Sequence, residues 1–116
     1  AIVLTASERV QMLKGMRAYL DCLQGITEAL AKNSDRSVAE YARRAGAKML
    51  LEVPVMVPVK MPVAFTALSL ATHDKFDQLA ARAEKSASRG EVLSALAEIM
   101  VNCTSCHSAY RVVAGP

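Results

Sequence analysis

The sequence predicts an all-α fold, a single-domain antiparallel four-helix bundle over residues 1–116. Apolar residues recur at helical spacing along four segments, and short links rich in Ser, Gly or Pro separate these segments. The composition also favours helix, because Ala, Leu, Met, Lys, Arg and Glu are common whereas only 4% of the residues are aromatic. Amphipathic segments joined by short links favour antiparallel neighbours.

The first helix is predicted over residues 7–31. Thr5 and Glu8 have the spacing of a capping box at its start, and Ser7 is a second N-cap candidate. Residues 32–35 favour a turn and end the helix. Its apolar stripe consists of Met12, Leu13, Met16, Leu20, Leu23, Ile26 and Leu30.

The second helix is predicted over residues 37–52. Ser37 and Glu40 have capping-box spacing, and Pro54 ends the helix because proline disfavours helical backbone in the preceding residue. The connection over residues 53–61 has too many prolines for a helix or a central strand. It is too apolar for an exposed loop, so we expect it to cover something.

The third helix is predicted to begin at Pro62, which favours the first helical position, and to end at residues 86–90. Ser88 and Glu91 form a third capping-box pattern and begin the fourth helix. The stripe of the third helix is Phe65, Leu68, Thr72, Phe76, Leu79 and Ala83; that of the fourth is Leu93, Leu96, Met100, Cys103, His107 and Tyr110.

The net charge and the lengths of the apolar runs argue against two classes of partner, nucleic acid and the membrane interior. A net charge of +3 with both signs interspersed is too weak for nucleic-acid binding. No apolar run reaches the roughly 18 residues that a membrane span needs. The chain begins with a short apolar stub, and we interpret it as a mature or trimmed chain.

The most informative motif is Cys103-Thr-Ser-Cys106-His107, which has the C-x-x-C-H pattern of covalent haem attachment. The two thiols can add to the vinyl groups of one haem, and the imidazole can reach its iron. The alternative is a disulfide or half of a zinc site. A structural zinc site needs four ligands, however, and only Cys22 and His73 remain as further soft ligands.

On a helix, positions 103, 106 and 107 share one face, so the haem is expected between helices, with the apolar connection over its open edge. Arg111 lies one turn beyond His107. Its charge either sits beside the imidazole or faces solvent at the helix C-terminus. Attachment of haem to this motif takes place outside the bacterial cytoplasm, which implies the periplasm.

With this motif in the last of four helices, followed by Tyr110 and Arg111, the chain resembles the cytochromes c′ over essentially its whole length. The resemblance implies a periplasmic haem c protein, often a homodimer. Thioether bonds would be made by Cys103 and Cys106, the axial ligand to iron would be His107, and the proximal arginine would be Arg111.

The same resemblance places Arg9 near a haem propionate and Leu13, one turn later, over the iron. Leucine cannot ligate iron, so the haem would be five-coordinate and open to small gases. In a competing register Met12 or Met16 is the sixth ligand, which closes the iron to gas and favours electron transfer. Methionines at helical spacing are also common core residues.

Two further residues have weaker claims. His73 is expected to be a half-exposed helix residue, with a second haem ligand as the alternative. Cys22 is expected to be a half-buried thiol, or, if exposed, a disulfide partner across a dimer. If the first helix packs against its twin, the expected contacts are Ala18, Asp21, Cys22 and Gly25.

Three functions remain open from the sequence. The first is a periplasmic haemoprotein that binds nitric oxide or carbon monoxide at five-coordinate iron, and the second is a one-electron carrier with His–Met ligation. An enzyme such as a peroxidase ranks last, because no distal His, Arg or carboxylate is evidently placed to act on bound oxygen. The partner is therefore a small diatomic gas or a redox protein.

Overall fold

The computed structural model describes residues 1–115 and is all-α except for two short strands. In chain order the elements are β1 (Ile2–Leu4), α1 (Ala6–Ala31), α2 (Asp35–Arg44), a 3-10 helix (Ala47–Glu52), α3 (Met56–Val59), α4 (Val63–Glu84), α5 (Arg89–Ala109) and β2 (Val112–Ala114). The molecule is elongated, with extents of 48 × 22 × 18 Å.

The predicted starts of the first and last helices are confirmed by their capping boxes. At the start of α1, Glu8 N donates to Thr5 Oγ1 over 3.2 Å and Thr5 N donates to Glu8 Oε1 over 2.9 Å. Ser88 and Glu91 exchange the same pair of hydrogen bonds, of 3.1 and 3.2 Å, at the start of α5. Each box satisfies two backbone N–H groups that a helix start leaves unpaired.

The second predicted helix is wrong at both ends. It begins at Asp35, with Ser34 as the N-cap that accepts from Ser37 N, so Ser37 does not cap it. It ends at Arg44, and Ala47–Glu52 form a 3-10 helix. The break follows from tertiary contacts, because the Asp77 carboxylate abuts Gly46 and accepts from Ala47 N over 2.9 Å.

Two details of the later segments also differ from expectation. Pro62 is the N-cap of α4 rather than its first helical residue. The connection, predicted to be non-helical, contains the short helix α3, whose Val57 is buried.

The predicted apolar stripes are wrong in register at several positions. Leu13 and Leu20 are 44% and 65% exposed on α1, and Leu93 and Met100 are 53% and 45% exposed on α5. Both helices carry apolar residues on more than one face, so spacing alone does not identify the buried one. The core is formed by Cys22, Ile26, Ala29, Leu30, Val38, Ala39, Ala42, Ala45, Phe76, Leu79, Ala80, Ala83, Val92, Leu96 and Ile99.

Helix α2 packs between α1 and α4, and α5 packs on α4. Within residues 1–115, the backbones of α1 and α5 are not in close contact along their length. The strands β1 and β2 pair in parallel, with Ile2 opposite Val112 and Leu4 opposite Ala114. This pairing joins the segments before α1 and after α5 at one end of the molecule.

None of the helices formed by residues 1–115 is long and apolar enough to cross a lipid bilayer.

Candidate functional site

The three residues of the predicted attachment motif lie on the last two turns of α5. Cys103 and Cys106 are half-buried free thiols one turn apart, and His107 is exposed. Cys103 Sγ donates to Ile99 O within the same helix over 3.7 Å. At helical spacing, the three side chains share one side of α5.

The end of α5 is fixed by its contacts with α4. Asn102 Nδ2 donates to Thr72 Oγ1 over 3.2 Å. The rings of Phe65 and Tyr110 meet edge to face, with centroids 5.3 Å apart. These contacts lie on either side of the motif, so the backbone that carries it has a defined orientation.

Burial raises the pKa of the Cys103 thiol, and burial followed by the neighbouring Cys103 raises the pKa of Cys106. Both side chains are therefore neutral thiols at pH 7. The pKa of Tyr19 is also raised, first by burial and next by the nearby Cys103 and Cys106. The motif therefore lies close to the middle of α1.

Helices α1 and α5 run antiparallel. Tyr19 lies near Cys103 and Cys106, whereas at the end of the molecule Gly115 N donates to Leu4 O over 2.7 Å. The segment from Tyr19 back to Leu4 and the segment from Cys106 on to Gly115 thus lead to the same end of the molecule. Met16, one turn from Tyr19, is at about the level of His107.

The rotation of α1 determines which residues face α5. Tyr19 stacks on His73 and Phe76 of α4, and Gly25 abuts Tyr41 of α2. At about 100° per residue, Leu13 and Leu20 lie about 100–120° from Tyr19, on the side away from α2. Since α5 packs on α4 and not on α2, this is the side that faces α5.

We call this side of the molecule, where the backbones of α1 and α5 do not approach closely, the α1–α5 gap. Helical geometry turns Leu13 and Met16 of α1 towards this side, and Cys103 and Cys106 of α5 lie near Tyr19. Leu13 is 44% exposed. By this geometry, Leu13 is turned towards the side on which α5 carries the motif.

A second space, the α1–α4 cavity, lies on the other side of α1 and has a volume of about 730 Å³. Met12 and Met16 both line it, whereas Leu13 does not; the other lining residues of α1 are Gln11, Lys14, Gly15, Ala18 and Tyr19. The connection over residues 53–61 covers this cavity, and no residue of the attachment motif lines it. The apolar connection thus covers an apolar space, but one beside the motif.

The residues from the 3-10 helix, the connection and α4 that line the cavity are Met49, Leu50, Glu52, Val53, Pro54, Val57, Pro58, Met61, Phe65, Thr66, Ser69, Leu70 and His73.

His73 was predicted to be half-exposed, and this is wrong, since it is only 5% exposed. Its Nδ1 lies 2.7 Å from Ala45 O. A carbonyl oxygen only accepts, so Nδ1 donates the proton. In the neutral ring Nε2 then accepts from the Tyr19 hydroxyl over 2.7 Å. Sequence reasoning missed this pair, although Tyr19 lies at helical spacing from the buried Cys22 and Ile26.

Cys22 and Gly25 are buried in the core, so the expectation that they lie at a dimer contact is wrong for these two of the four residues. Burial raises the pKa of the Cys22 thiol, and its side chain is not exposed for a disulfide between two copies. The other two, Ala18 and Asp21, are half-buried and exposed.

The two predicted arginines, Arg9 and Arg111, are exposed near the end of the molecule where β1 and β2 pair. Lys60 donates to Glu8 Oε1 over 2.6 Å and so ties the connection to the first turn of α1. Over residues 1–115, no three His, Cys, Asp or Glu side chains come together in a way that could hold a metal ion.

Comparison with models of protein families, with curated proteins and with solved structures finds no match.

Proposed function

We propose that this chain is a periplasmic c-type haemoprotein of the cytochrome c′ type, in which Cys103 and Cys106 bind one haem c through thioether bonds. His107 is the axial ligand to the iron. The observation that carries the proposal is the arrangement on α5, where two free thiols and the following imidazole share one side of the helix, with the thiols near Tyr19 of α1.

The residues present fit a covalently bound macrocycle. Half-buried neutral thiols one turn apart can form thioethers, and helical geometry turns the apolar Leu13 and Met16 of α1 towards the side on which they lie. In this proposal α1, α2, α4 and α5 form a four-helix bundle whose α1–α5 side is completed by the haem. Arg9 is the propionate partner, and Arg111 lies one turn beyond His107.

When bound, haem c supplies an iron that changes between ferric and ferrous states and can accept one further ligand. The chain sets what that ligand is. Leu13 borders the gap, whereas Met12 and Met16 line the cavity on the other side of α1. This placement supports a five-coordinate iron under an apolar lid, which admits nitric oxide or carbon monoxide. The function proposed is the binding, buffering or sensing of such a gas.

A second candidate, a six-coordinate electron carrier, is favoured by one observation. Met16 is at about the level of His107 and also borders the α1–α5 gap. Its flexible side chain would have to leave the cavity wall to ligate the iron. Met12 is less suited, because it lies only about 20° from Tyr19 around the helix and so faces α4.

The first experiment tests covalent attachment. The chain is expressed in a bacterium that matures c-type cytochromes, and its mass is measured after acid denaturation. The proposal expects the polypeptide mass plus one haem. The double variant Cys103→Ser/Cys106→Ser should lose this added mass, whereas Cys22→Ser, the matched control at the third cysteine, should keep it. A wild-type mass equal to that of the polypeptide alone would overturn the proposal.

Absorption spectra then separate the two candidates. High-spin bands in the ferric and ferrous proteins, with a ferrous spectrum that changes on adding carbon monoxide, support the gas-binding function. Low-spin bands in both oxidation states, with no change on adding carbon monoxide, support the electron carrier and overturn gas binding.

A further inference from the structure

The outer surface of the connection and of the residues that flank it is rich in apolar side chains. Of the fourteen large apolar side chains that are exposed over residues 1–115, six lie within residues 51–63. Apolar residues scattered singly over a surface are ordinary, whereas a contiguous patch marks a site of interaction. We call these six residues the connection patch: Leu51, Val53, Val55, Met56, Val59 and Val63.

Backbone hydrogen bonds fold this segment into successive turns and so hold the six residues close together. These bonds are 3.0–3.2 Å long and run from Val53 N to Leu50 O, from Val57 N to Pro54 O and from Lys60 N to Val57 O. Val57 points inwards, since it is buried and lines the α1–α4 cavity. On either side of it, Val55 and Val59 are 82% and 71% exposed. The segment therefore covers the cavity with one side and presents the connection patch on the other.

The connection patch has the area that one half of a homodimer interface needs. From their exposed fractions, the six side chains present about 600 Å² of surface, which is at the upper end of what a monomeric protein leaves uncovered. A standard interface buries about 800 Å² on each partner, and in homodimers about 65% of the buried area is apolar.

The charges near the patch indicate which partner fits it. Lys60 donates to Glu8 over 2.6 Å, so its charge is already paired. The other charged residues from 48 to 63 are Lys48 and Glu52, one of each sign, and neither forms an ion pair within residues 1–115. A neutral patch does not attract an acidic or a basic protein, and it lacks the cluster of cations that binds anionic lipid. A second copy of this chain presents the same neutral, apolar surface.

We propose that the connection patch is the interface of a homodimer, in which the patches of two copies pack against each other about a two-fold axis. This inference goes beyond the proposed function and does not depend on haem. It also differs from the contact predicted on α1, where Cys22 and Gly25 are buried. In the dimer, the partner holds each connection from the outside.

Sedimentation equilibrium of the protein purified from the host that matures c-type cytochromes tests the proposal. We expect the mass of two chains at about 10–100 μM, since interfaces of this size have dissociation constants of micromolar or below. Val55→Glu and Val59→Glu should each give the mass of one chain, because the dimer would bury an unpaired carboxylate. Both positions are exposed in the single chain, so these variants should keep the wild-type circular dichroism spectrum.

Val10→Glu and Val101→Glu are the matched controls. Both valines are 61% exposed, on α1 and α5, outside the connection patch. Val10 also lies three helical turns from Asp21, on the same side of α1, so it probes the contact that was predicted there. Both controls should remain dimers. A wild type with the mass of one chain, a dimer that either patch variant retains, or a dimer that Val10→Glu splits would overturn the proposal.

Co-sedimentation with vesicles of phosphatidylcholine and phosphatidylglycerol tests the other occupant of an apolar surface, a lipid bilayer. A monomeric wild type that binds these vesicles, with binding lost in Val55→Glu, would assign the patch to lipid and overturn the dimer. The oligomeric state and the mass of added haem are separate measurements. A dimer without haem would therefore contradict the proposed function and leave this inference standing, whereas a monomer with haem would do the reverse.

Discussion

Tyr19 and His73 form a buried hydrogen-bonded and stacked pair that links α1 to α4. The hydroxyl donates to Nε2 over 2.7 Å, and the ring centroids are 5.1 Å apart. The opposite nitrogen of His73 donates to Ala45 O at the end of α2. One imidazole thus connects three helices, and it lines the α1–α4 cavity.

The variant Tyr19→Phe tests how much this hydrogen bond contributes to the stability of the fold. It keeps the stacked ring but removes the hydroxyl and leaves His73 Nε2 unpaired in a buried site. We expect the free energy of unfolding to fall by about 1–3 kcal/mol, measured by urea denaturation. Tyr41→Phe is the control, since no hydrogen bond from its hydroxyl is found within residues 1–115, and it should cost less than about 0.5 kcal/mol. Equal effects of the two variants would contradict the role of the pair.

Replacing two glycines of α1 by alanine should have opposite effects on the stability of the fold. At Gly25 a Cβ would overlap ring carbons of Tyr41, so Gly25→Ala should destabilise the fold by about 1–3 kcal/mol. At Gly15 a Cβ meets open space, so Gly15→Ala should stabilise the fold by up to about 1 kcal/mol through helix propensity. Thermal and urea denaturation of both variants check this. The same sign at both positions would contradict the packing of α1 on α2.

The hydrogen bonds of Glu8 predict that the stability of the fold depends on pH. Its pKa lies below the ordinary value of 4.5, first because Lys60 donates to it and next because Thr5 N–H does. A carboxyl whose folded pKa is lowered stabilises the fold above its unfolded pKa, and this stabilisation is lost as the pH falls through the folded pKa. The stability difference between wild type and Glu8→Gln should therefore be largest near neutral pH and vanish in acid.

Glu91 provides the comparison for Glu8. It occupies the same position in the capping box of α5, and its pKa is lowered first by the backbone of Ser88 rather than by a lysine. Added salt should therefore reduce the effect of Glu8→Gln more than that of Glu91→Gln, because salt screens the Lys60 charge. An effect of Glu8→Gln that does not change between neutral and acidic pH would show that the ion pair contributes nothing.

The residue on the distal side can be identified by single substitutions. If Leu13 is the apolar lid, Leu13→Ala should speed carbon monoxide association about tenfold, equivalent to about 1.4 kcal/mol of barrier. Met12→Leu and Met16→Leu should leave the spectrum high-spin. If instead the wild type is low-spin and only Met16→Leu converts it to high spin, Met16 is the sixth ligand and the chain is an electron carrier. Stopped-flow mixing and absorption spectra distinguish these results.

Local signals in the sequence determine the starts of two helices, the face shared by the motif residues and the all-α character of the fold. The capping boxes of α1 and α5 were predictable because Ser or Thr followed three residues later by Glu satisfies backbone groups within one turn. Cys103, Cys106 and His107 were identifiable as a candidate site because helical spacing alone puts them on one side of α5. The all-α character followed from periodicity and composition, which require no knowledge of neighbours.

The tertiary structure decided what depends on distant partners. The carboxylate of Asp77 reaches Ala47 N across 30 positions and splits the second predicted helix. His73 is buried because Tyr19, 54 positions away, satisfies its second nitrogen. Leu13 and Met16 are both apolar residues of one helix, and only the packing of α2 and α4 on α1 turns the first to the α1–α5 gap and the second to the wall of the cavity. A helical period fixes how side chains are spaced around an axis, but the rotation of that axis is set by the surfaces it packs against.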